Sequence, residues 1–164
     1  MRTVRLIFIL IPLILLGACE QQSTPSQSSS PRVAYETNVH DKEFGNYTIH
    51  INALTTDQLP TEVARGYKIS RSKNRAMLNV SVREKTADGE LPVAASFNVI
   101  AKNLSNQQKN VALRQIKEDE PPAIYYIGEL PVTNEETITF ELDVTLEGNA
   151  EPLLISYSQQ FFTE

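Results

Sequence analysis

The chain has 164 residues, of which 20 are acidic and 15 are basic, giving a formal net charge of −5 at pH 7. This length allows one domain once a leader and a linker are set aside. The acidic balance argues against nucleic-acid binding, which needs basic side chains to displace counterions. The single cysteine, Cys19, has no second cysteine to pair with, so an internal disulfide is excluded.

Residues 1–18 have the features of a secretory signal peptide. Arg2 and Arg5 precede an almost entirely aliphatic stretch over residues 6–16, and small residues follow in Leu16-Gly17-Ala18-Cys19. As a helix the aliphatic stretch is about 16 Å long, about half the thickness of the hydrocarbon core, which disfavours the alternative of a signal anchor. The last four residues are similar to the lipobox of bacterial lipoproteins. That resemblance implies that Cys19 is acylated and becomes the first residue of the mature protein.

Acylation at Cys19 implies a membrane-lipid anchor, because several acyl chains on one residue hold firmly where one chain holds only marginally. The next residue is Glu20, not the aspartate that favours inner-membrane retention in enteric lipoproteins. The lipobox resemblance therefore implies the inner leaflet of the outer membrane, facing the periplasm. Residues 19–41 are rich in Gln, Ser, Thr and Pro and predict a disordered tether with a root-mean-square span of about 25 Å. Removal of residues 1–18 leaves 13 basic and 20 acidic residues, a net charge of −7.

Residues 42–164 show the period-two alternation of half-buried strands. Apolar residues occupy one parity over Tyr47–Ala53, Ala76–Val82 and Ile138–Leu146, with polar residues on the other. Further strands are predicted over residues 93–104, 110–117, 123–130 and 153–162. Because no long helical pattern connects the strands, we predict an all-β fold, an antiparallel immunoglobulin-like β-sandwich of about seven strands. A small closed barrel is the main alternative.

The connection after the first strand has a helical signature. Pro60 stands where a helix could begin and Gly66 where a short helix would end. We predict a short helical turn there, followed by a polar loop through Arg75. An irregular loop throughout is the alternative.

Few residues in the chain indicate catalysis or metal binding. The only histidines, His40 and His50, are predicted to be solvated surface residues, and no G-x-S-x-G elbow or Gly-rich phosphate loop is present. Zinc needs more ligands than the chain supplies, and copper binding would need Met77 to meet the distant histidines. A carboxylate pair could support hydrolysis, although the acidic runs at 118–120 and 135–136 are typical of solvated turns. We therefore predict a protein that is not an enzyme, with no cofactor and no metal.

A basic cluster contrasts with the acidic domain around it. Five cationic residues fall within eleven positions: Arg65, Lys68, Arg71, Lys73 and Arg75. Cationic side chains bind phosphate and carboxylate oxygens, so the cluster is a candidate binding loop for an anionic group or an acidic protein surface. The alternative is a solubilising loop whose charges pair with the acidic turns.

A second notable segment, Ala123–Ile127, is apolar on both parities. Burial on both faces of a central strand accounts for this pattern. Tyr125 and Tyr126 are also a candidate interface, because tyrosine is enriched at protein interfaces. We favour the core interpretation.

Several short motifs taken together are similar to one known family. They are Phe44-Gly45-Asn46-Tyr47, Leu59-Pro60-Thr61-Glu62-Val63-Ala64, Ile69-Ser70-Arg71-Ser72-Lys73, Asn79-Val80-Ser81-Val82 and Ala123-Ile124-Tyr125-Tyr126. From Phe44 to Phe162 the chain resembles the domain of unknown function 4426 family, small exported proteins of gammaproteobacteria. The resemblance implies a periplasmic β-sandwich without an established activity, and it includes Arg71-Ser72-Lys73 in the family pattern. The lipobox and tether depart from members that have an ordinary signal peptide.

These observations predict a non-enzymatic binding or assembly module with an envelope protein as its partner and the basic cluster as its contact surface. A carrier or sensor of a small anionic ligand is the alternative, with the ligand in the sandwich interior or near Tyr67. A carboxylate-dependent envelope hydrolase is the least favoured hypothesis.

Overall fold

The computed structural model describes residues 35–37, 40–149 and 151–164. The predicted signal peptide and the lipidation site at Cys19 lie outside the described residues. No helix in the described ranges is long and apolar enough to cross a membrane. The strands and helices of these ranges are β1 (Tyr35–Thr37), β2 (Asp41–Phe44), β3 (Tyr47–Thr55), the 3-10 helix η1 (Thr56–Gln58), α1 (Thr61–Gly66), β4 (Arg75–Thr86), β5 (Gly89–Pro92), β6 (Ala95–Asn103), β7 (Gln108–Lys109), β8 (Arg114–Asp119), β9 (Pro122–Pro131), β10 (Glu136–Leu146) and β11 (Leu153–Phe161).

The strands form two sheets that pack face to face. One sheet has the order β1-β11-β10-β6-β7, and the other has the order β2-β3-β4-β9-β8 with β5 also paired to β4. Neighbouring strands are antiparallel except for β1 and β11, which are parallel. The predicted all-β sandwich is therefore confirmed, and the alternative of one closed barrel is wrong.

The predicted strands correspond to the long strands of the structure. Four short strands, β1, β2, β5 and β7, were not predicted, because two to four residues are too few to show a clear alternation. Strand β1 falls inside the predicted tether and pairs with β11 through Tyr35 opposite Ile155. Those three residues are held by backbone pairing, which composition alone does not reveal.

The strand predicted over residues 110–117 begins later, at Arg114. The segment before it instead packs on Gly128 of β9. A Cβ atom at Gly128 would lie 2.6 Å from Val111 Cγ1 and 2.8 Å from Leu113 Cδ2, so only glycine allows this close approach. Residues 110–113 therefore close over the sheet rather than pairing with it.

The main core lies between the two sheets and follows the predicted alternation. On β10, Ile138, Phe140 and Leu142 are at most 1% exposed, while Glu141 between them is exposed. The facing strands contribute aliphatic residues in the same way: Ile49, Ile51, Ala76, Leu78, Val80 and Val82. Each fully buried aliphatic side chain contributes about 1.5–3 kcal/mol, so this layer makes a large favourable contribution to folding.

A second, smaller core lies on the outer face of the six-stranded sheet. Helix α1 covers this face, with Ala64 and Ile69 packed against Met77 of β4 and Ile127 of β9. The predicted short helix is confirmed, and Pro60 directly precedes its first residue. Because the inner face of β9 meets the main core and its outer face meets α1, the apolar residues on both parities are explained by burial.

Candidate functional site

The loop that carries the basic cluster is anchored by one buried hydroxyl. Thr56 is fully buried, and its Oγ1 atom lies 2.9 Å from the carbonyl oxygen of Ser70 and 3.1 Å from that of Ser72, either of which can accept its proton. The same oxygen accepts a hydrogen bond of 2.9 Å from the backbone N–H of Ser72. The backbone at the centre of the basic cluster is thus tied to the end of β3.

Two members of the basic cluster make contacts within the domain. The guanidinium of Arg71 donates a 3.0 Å hydrogen bond to Thr61 Oγ1 and a second bond to the carbonyl oxygen of Asp57. Arg75 lies 3.6 Å from a carboxylate oxygen of Glu129 on the neighbouring strand. These two arginines help to hold the loop, so part of their hydrogen-bonding capacity is used within the domain.

The other three members of the cluster are what we call the cationic patch: Arg65, Lys68 and Lys73. All three are exposed, and within the described ranges none makes an ion pair or a side-chain hydrogen bond. Lys68 has a positive φ of 55°, which turns the chain sharply after α1. The hypothesis that the cluster is neutralised by the acidic turns therefore fails for these three side chains among the described residues.

One carboxylate from each acidic run has a partner outside the basic cluster, Glu118 in the first and Glu136 in the second. Glu118 accepts a hydrogen bond from the hydroxyl of Tyr67, and Arg114 donates to the Tyr67 carbonyl oxygen. Burial, followed by the hydrogen bond to the Glu118 carboxylate, raises the pKa of Tyr67 to about 12. These contacts fasten the end of α1 to strand β8.

Glu136 belongs to the most buried ion pair of the described residues, with its carboxylate 2.7 Å from Lys109 Nζ. Burial alone would raise the pKa of Glu136, but hydrogen bonds from Lys109, Thr133 and Asn103 outweigh burial and lower it. Glu136 is therefore held in its charged form as part of the fold.

The two tyrosines of the candidate interface point to opposite faces of β9. Tyr126 is 6% exposed, its ring lies 4.5 Å from that of Phe97, and its hydroxyl accepts hydrogen bonds from Ala95 N and Gln115 Nε2. Tyr125 is half-buried against the small core beneath α1. Both rings contribute to packing, and Tyr126 has too little exposed surface to contact a partner.

The two histidines, which the sequence places as separate surface residues, line one open cavity of about 370 Å³. His50 Nδ1 lies 2.7 Å from Asp41 Oδ1, and His40 Nδ1 lies 3.2 Å from the carbonyl oxygen of Ile51. Met77 is buried beneath α1. The described ranges contain no group of three or more His, Cys, Asp or Glu side chains that could hold a metal ion.

These features define the class of the molecule: a small two-sheet sandwich with a helix-covered outer face and a cationic patch beside that helix. The family model for the domain of unknown function DUF4426 matches residues 41–164, and the chain belongs to this family. The predicted resemblance is confirmed.

A solved structure shares the fold. The chain is similar to a DUF4426 family protein from Pseudomonas aeruginosa, known from a crystal structure, with 27% sequence identity and a TM-score of 0.64. The similarity covers 76% of this chain and 94% of that chain. Among curated proteins, none matches.

Proposed function

We propose that the protein is a lipid-anchored envelope protein whose sandwich domain binds an acidic protein surface through the cationic patch, without catalysing a reaction. The lipobox ending at Cys19, the following Glu20 and the polar tether support an anchor in the inner leaflet of the outer membrane. A tether of this kind holds the domain clear of the lipid surface without fixing its orientation, so the domain itself must select the partner.

The observation that carries this proposal is that three exposed cations lie around an anchored loop. Since Thr56 and Arg71 hold the loop backbone, little conformational entropy is lost when a partner binds. The predicted mature chain carries a net charge of −7, so a local positive surface attracts an acidic partner while the rest of the domain repels it. This contrast favours one orientation of approach.

The other two hypotheses have less support. Near Tyr67, the side chains of Glu118 and Arg114 are hydrogen-bonded to Tyr67 itself, and the Glu118 carboxylate would repel a small anion there. Glu118 and Glu136, from the two acidic runs, are each engaged in holding the fold. We therefore retain the binding module as the proposed function.

Photo-crosslinking in cells tests the patch without removing its charges. A photoreactive residue at Ser70, which is exposed, should give a recurrent protein adduct in the lipidated protein. Changing Lys68→Glu together with Lys73→Glu should reduce that adduct at least tenfold, because two attractive contacts become repulsive. The matched control is Lys117→Glu, an exposed lysine of β8 outside the patch. An adduct that survives the double change at its original level would contradict the proposed role of the patch.

The anchor has a separate test. Metabolic labelling with a radioactive fatty acid should mark the wild-type protein and leave Cys19→Ser unlabelled. Fractionation should place the labelled protein in the outer membrane, and Glu20→Asp should move part of it to the inner membrane. A labelled Cys19→Ser protein would show that the lipid is attached elsewhere.

A further inference from the structure

The outer face of the six-stranded sheet carries a second polar surface that does not involve the cationic patch. Strands β2, β3 and β4 place Asp41, His50 and Ser81 side by side across the sheet. Two residues further along β3, Asn52 lies opposite Asn79 of β4. Residues paired in this way share a face of the sheet, as do residues two apart on one strand. We call these five residues the polar row.

The polar row has unused hydrogen-bonding capacity. A carboxylate only accepts, so the 2.7 Å contact with Asp41 requires His50 to donate from Nδ1, and its Nε2 atom has no hydrogen-bond partner among the described residues. The Oδ1 atom of Asn79 is buried and has no hydrogen-bond partner among the described residues. Within the same ranges, the side chains of Asn52 and Ser81 make no hydrogen bond either.

The space beside the polar row has the size of a ligand site. Four of the five residues line the open cavity of about 370 Å³, in the lower part of the roughly 300–1,000 Å³ range of small-molecule sites. The described lining contains no lysine or arginine, and its single carboxylate is already paired with His50. This chemistry does not suit a phosphate or carboxylate ligand, because the described lining offers no lysine or arginine to balance its charge.

The groups that remain suit hydroxyl groups on the ligand. An amide or serine side chain can both donate and accept, and a sugar hydroxyl does the same. The Asn79 amide can turn towards such a ligand because the χ2 torsion of asparagine is broad. A donor reaching its unpaired oxygen would also satisfy a polar group whose burial is otherwise unfavourable.

We propose that the polar row binds a neutral saccharide through its hydroxyl groups, with the Asn79 amide as the central contact and His50 Nε2 as a further polar contact. This site is separate from the cationic patch in both residues and charge. Either proposal can therefore fail without the other.

Calorimetric titration of the full lipidated protein, in a detergent without a sugar headgroup, tests the site. The probes are two neutral oligosaccharides, fully N-acetylated chitotriose and maltotriose. We expect saturable binding of at least one probe, weakened at least tenfold by Asn79→Ala and by Asn52→Ala, since both residues line the cavity. Asn110→Ala is the matched control, since Asn110 is exposed on a different surface, and Lys68→Glu should also bind normally.

Three results would overturn the proposal. One is the absence of binding by both probes to wild-type protein with an intact unfolding transition. Another is saccharide binding that neither Asn79→Ala nor Asn52→Ala weakens. The third is binding of inorganic phosphate, in place of either saccharide, that depends on His50.

Discussion

Replacing Thr56 by valine should loosen the loop that displays the cationic patch. Valine keeps the shape of threonine but removes the hydroxyl, so the backbone N–H of Ser72 and the carbonyl oxygens near it lose their buried partner. Each net hydrogen bond is worth about 0.5–1.5 kcal/mol, and one donated and one accepted bond are lost, so we expect a loss of about 2 kcal/mol in the free energy of unfolding. With a urea m-value of about 2 kcal/mol/M, the unfolding midpoint falls by about 1 M.

The chain offers a matched control for this change. Thr48 is also buried, at 5% exposed, but its Oγ1 atom has no hydrogen-bond partner among the described residues. Thr48→Val should therefore leave stability unchanged or raise it by about 1 kcal/mol, because it removes an unpaired buried polar atom. Urea unfolding followed by circular dichroism measures both variants, and amide hydrogen exchange should show faster exchange near Ser72 only in Thr56→Val. If both variants lose the same free energy, the hydrogen bonds of Thr56 do not anchor the loop.

Other consequences of the packing and of the pKa shifts can be measured independently. Gly128→Ala should destabilise the domain by about 1–3 kcal/mol through overpacking, whereas Gly66→Ala, with open space around it, should stabilise the end of α1 by about 0.5–1 kcal/mol; thermal unfolding compares them. The pKa of Glu136 is lowered by folding, so its contribution to stability is present above the ordinary value of 4.5 and is lost as the pH falls below it. The urea concentration at the unfolding midpoint should therefore fall less steeply with decreasing pH in Glu136→Gln than in wild type. Equal slopes of midpoint against pH would refute this. The pKa of Tyr67 is raised to about 12, so its contribution is present below pH 10 and is lost as the pH rises towards 12. In an ultraviolet titration of tyrosinate formation, Tyr67→Phe should lack one tyrosine that ionises near pH 12 in wild type. An unchanged titration profile would count against the contact with Glu118.

The alternation of side chains was a good guide to the long strands because burial acts on every second residue. A one-residue shift in β10 would turn Phe140 to solvent and Glu141 into the core, so the sequence pattern and the register must agree. The short strands β1 and β7 carry no such pattern, and their position depends on neighbouring strands. The boundary error before Arg114 has a similar origin, since the packing of Val111 on Gly128 is a contact between distant parts of the chain.

The basic cluster shows that sequence patterns are equally limited in predicting the contacts of the candidate site. Its five charges are evident in the sequence, but nothing there indicates that Arg71 bonds to Thr61 while Lys68 and Lys73 stay exposed. The anchor at Thr56 acts on residues up to 16 positions away. Such contacts follow from the path of the backbone through η1 and α1, which a local pattern does not contain.

By itself, the amino-acid sequence determined the all-β class, the helical turn near Pro60, the family and the expectation of a lipid anchor at Cys19. These properties depend on local composition, on periodicity and on contiguous motifs. The tertiary structure alone decided which cations are free and that His50 and Asn79 line one cavity. The physical reason is that strand register and loop path bring together residues that are far apart in the chain, so their chemistry arises only after folding.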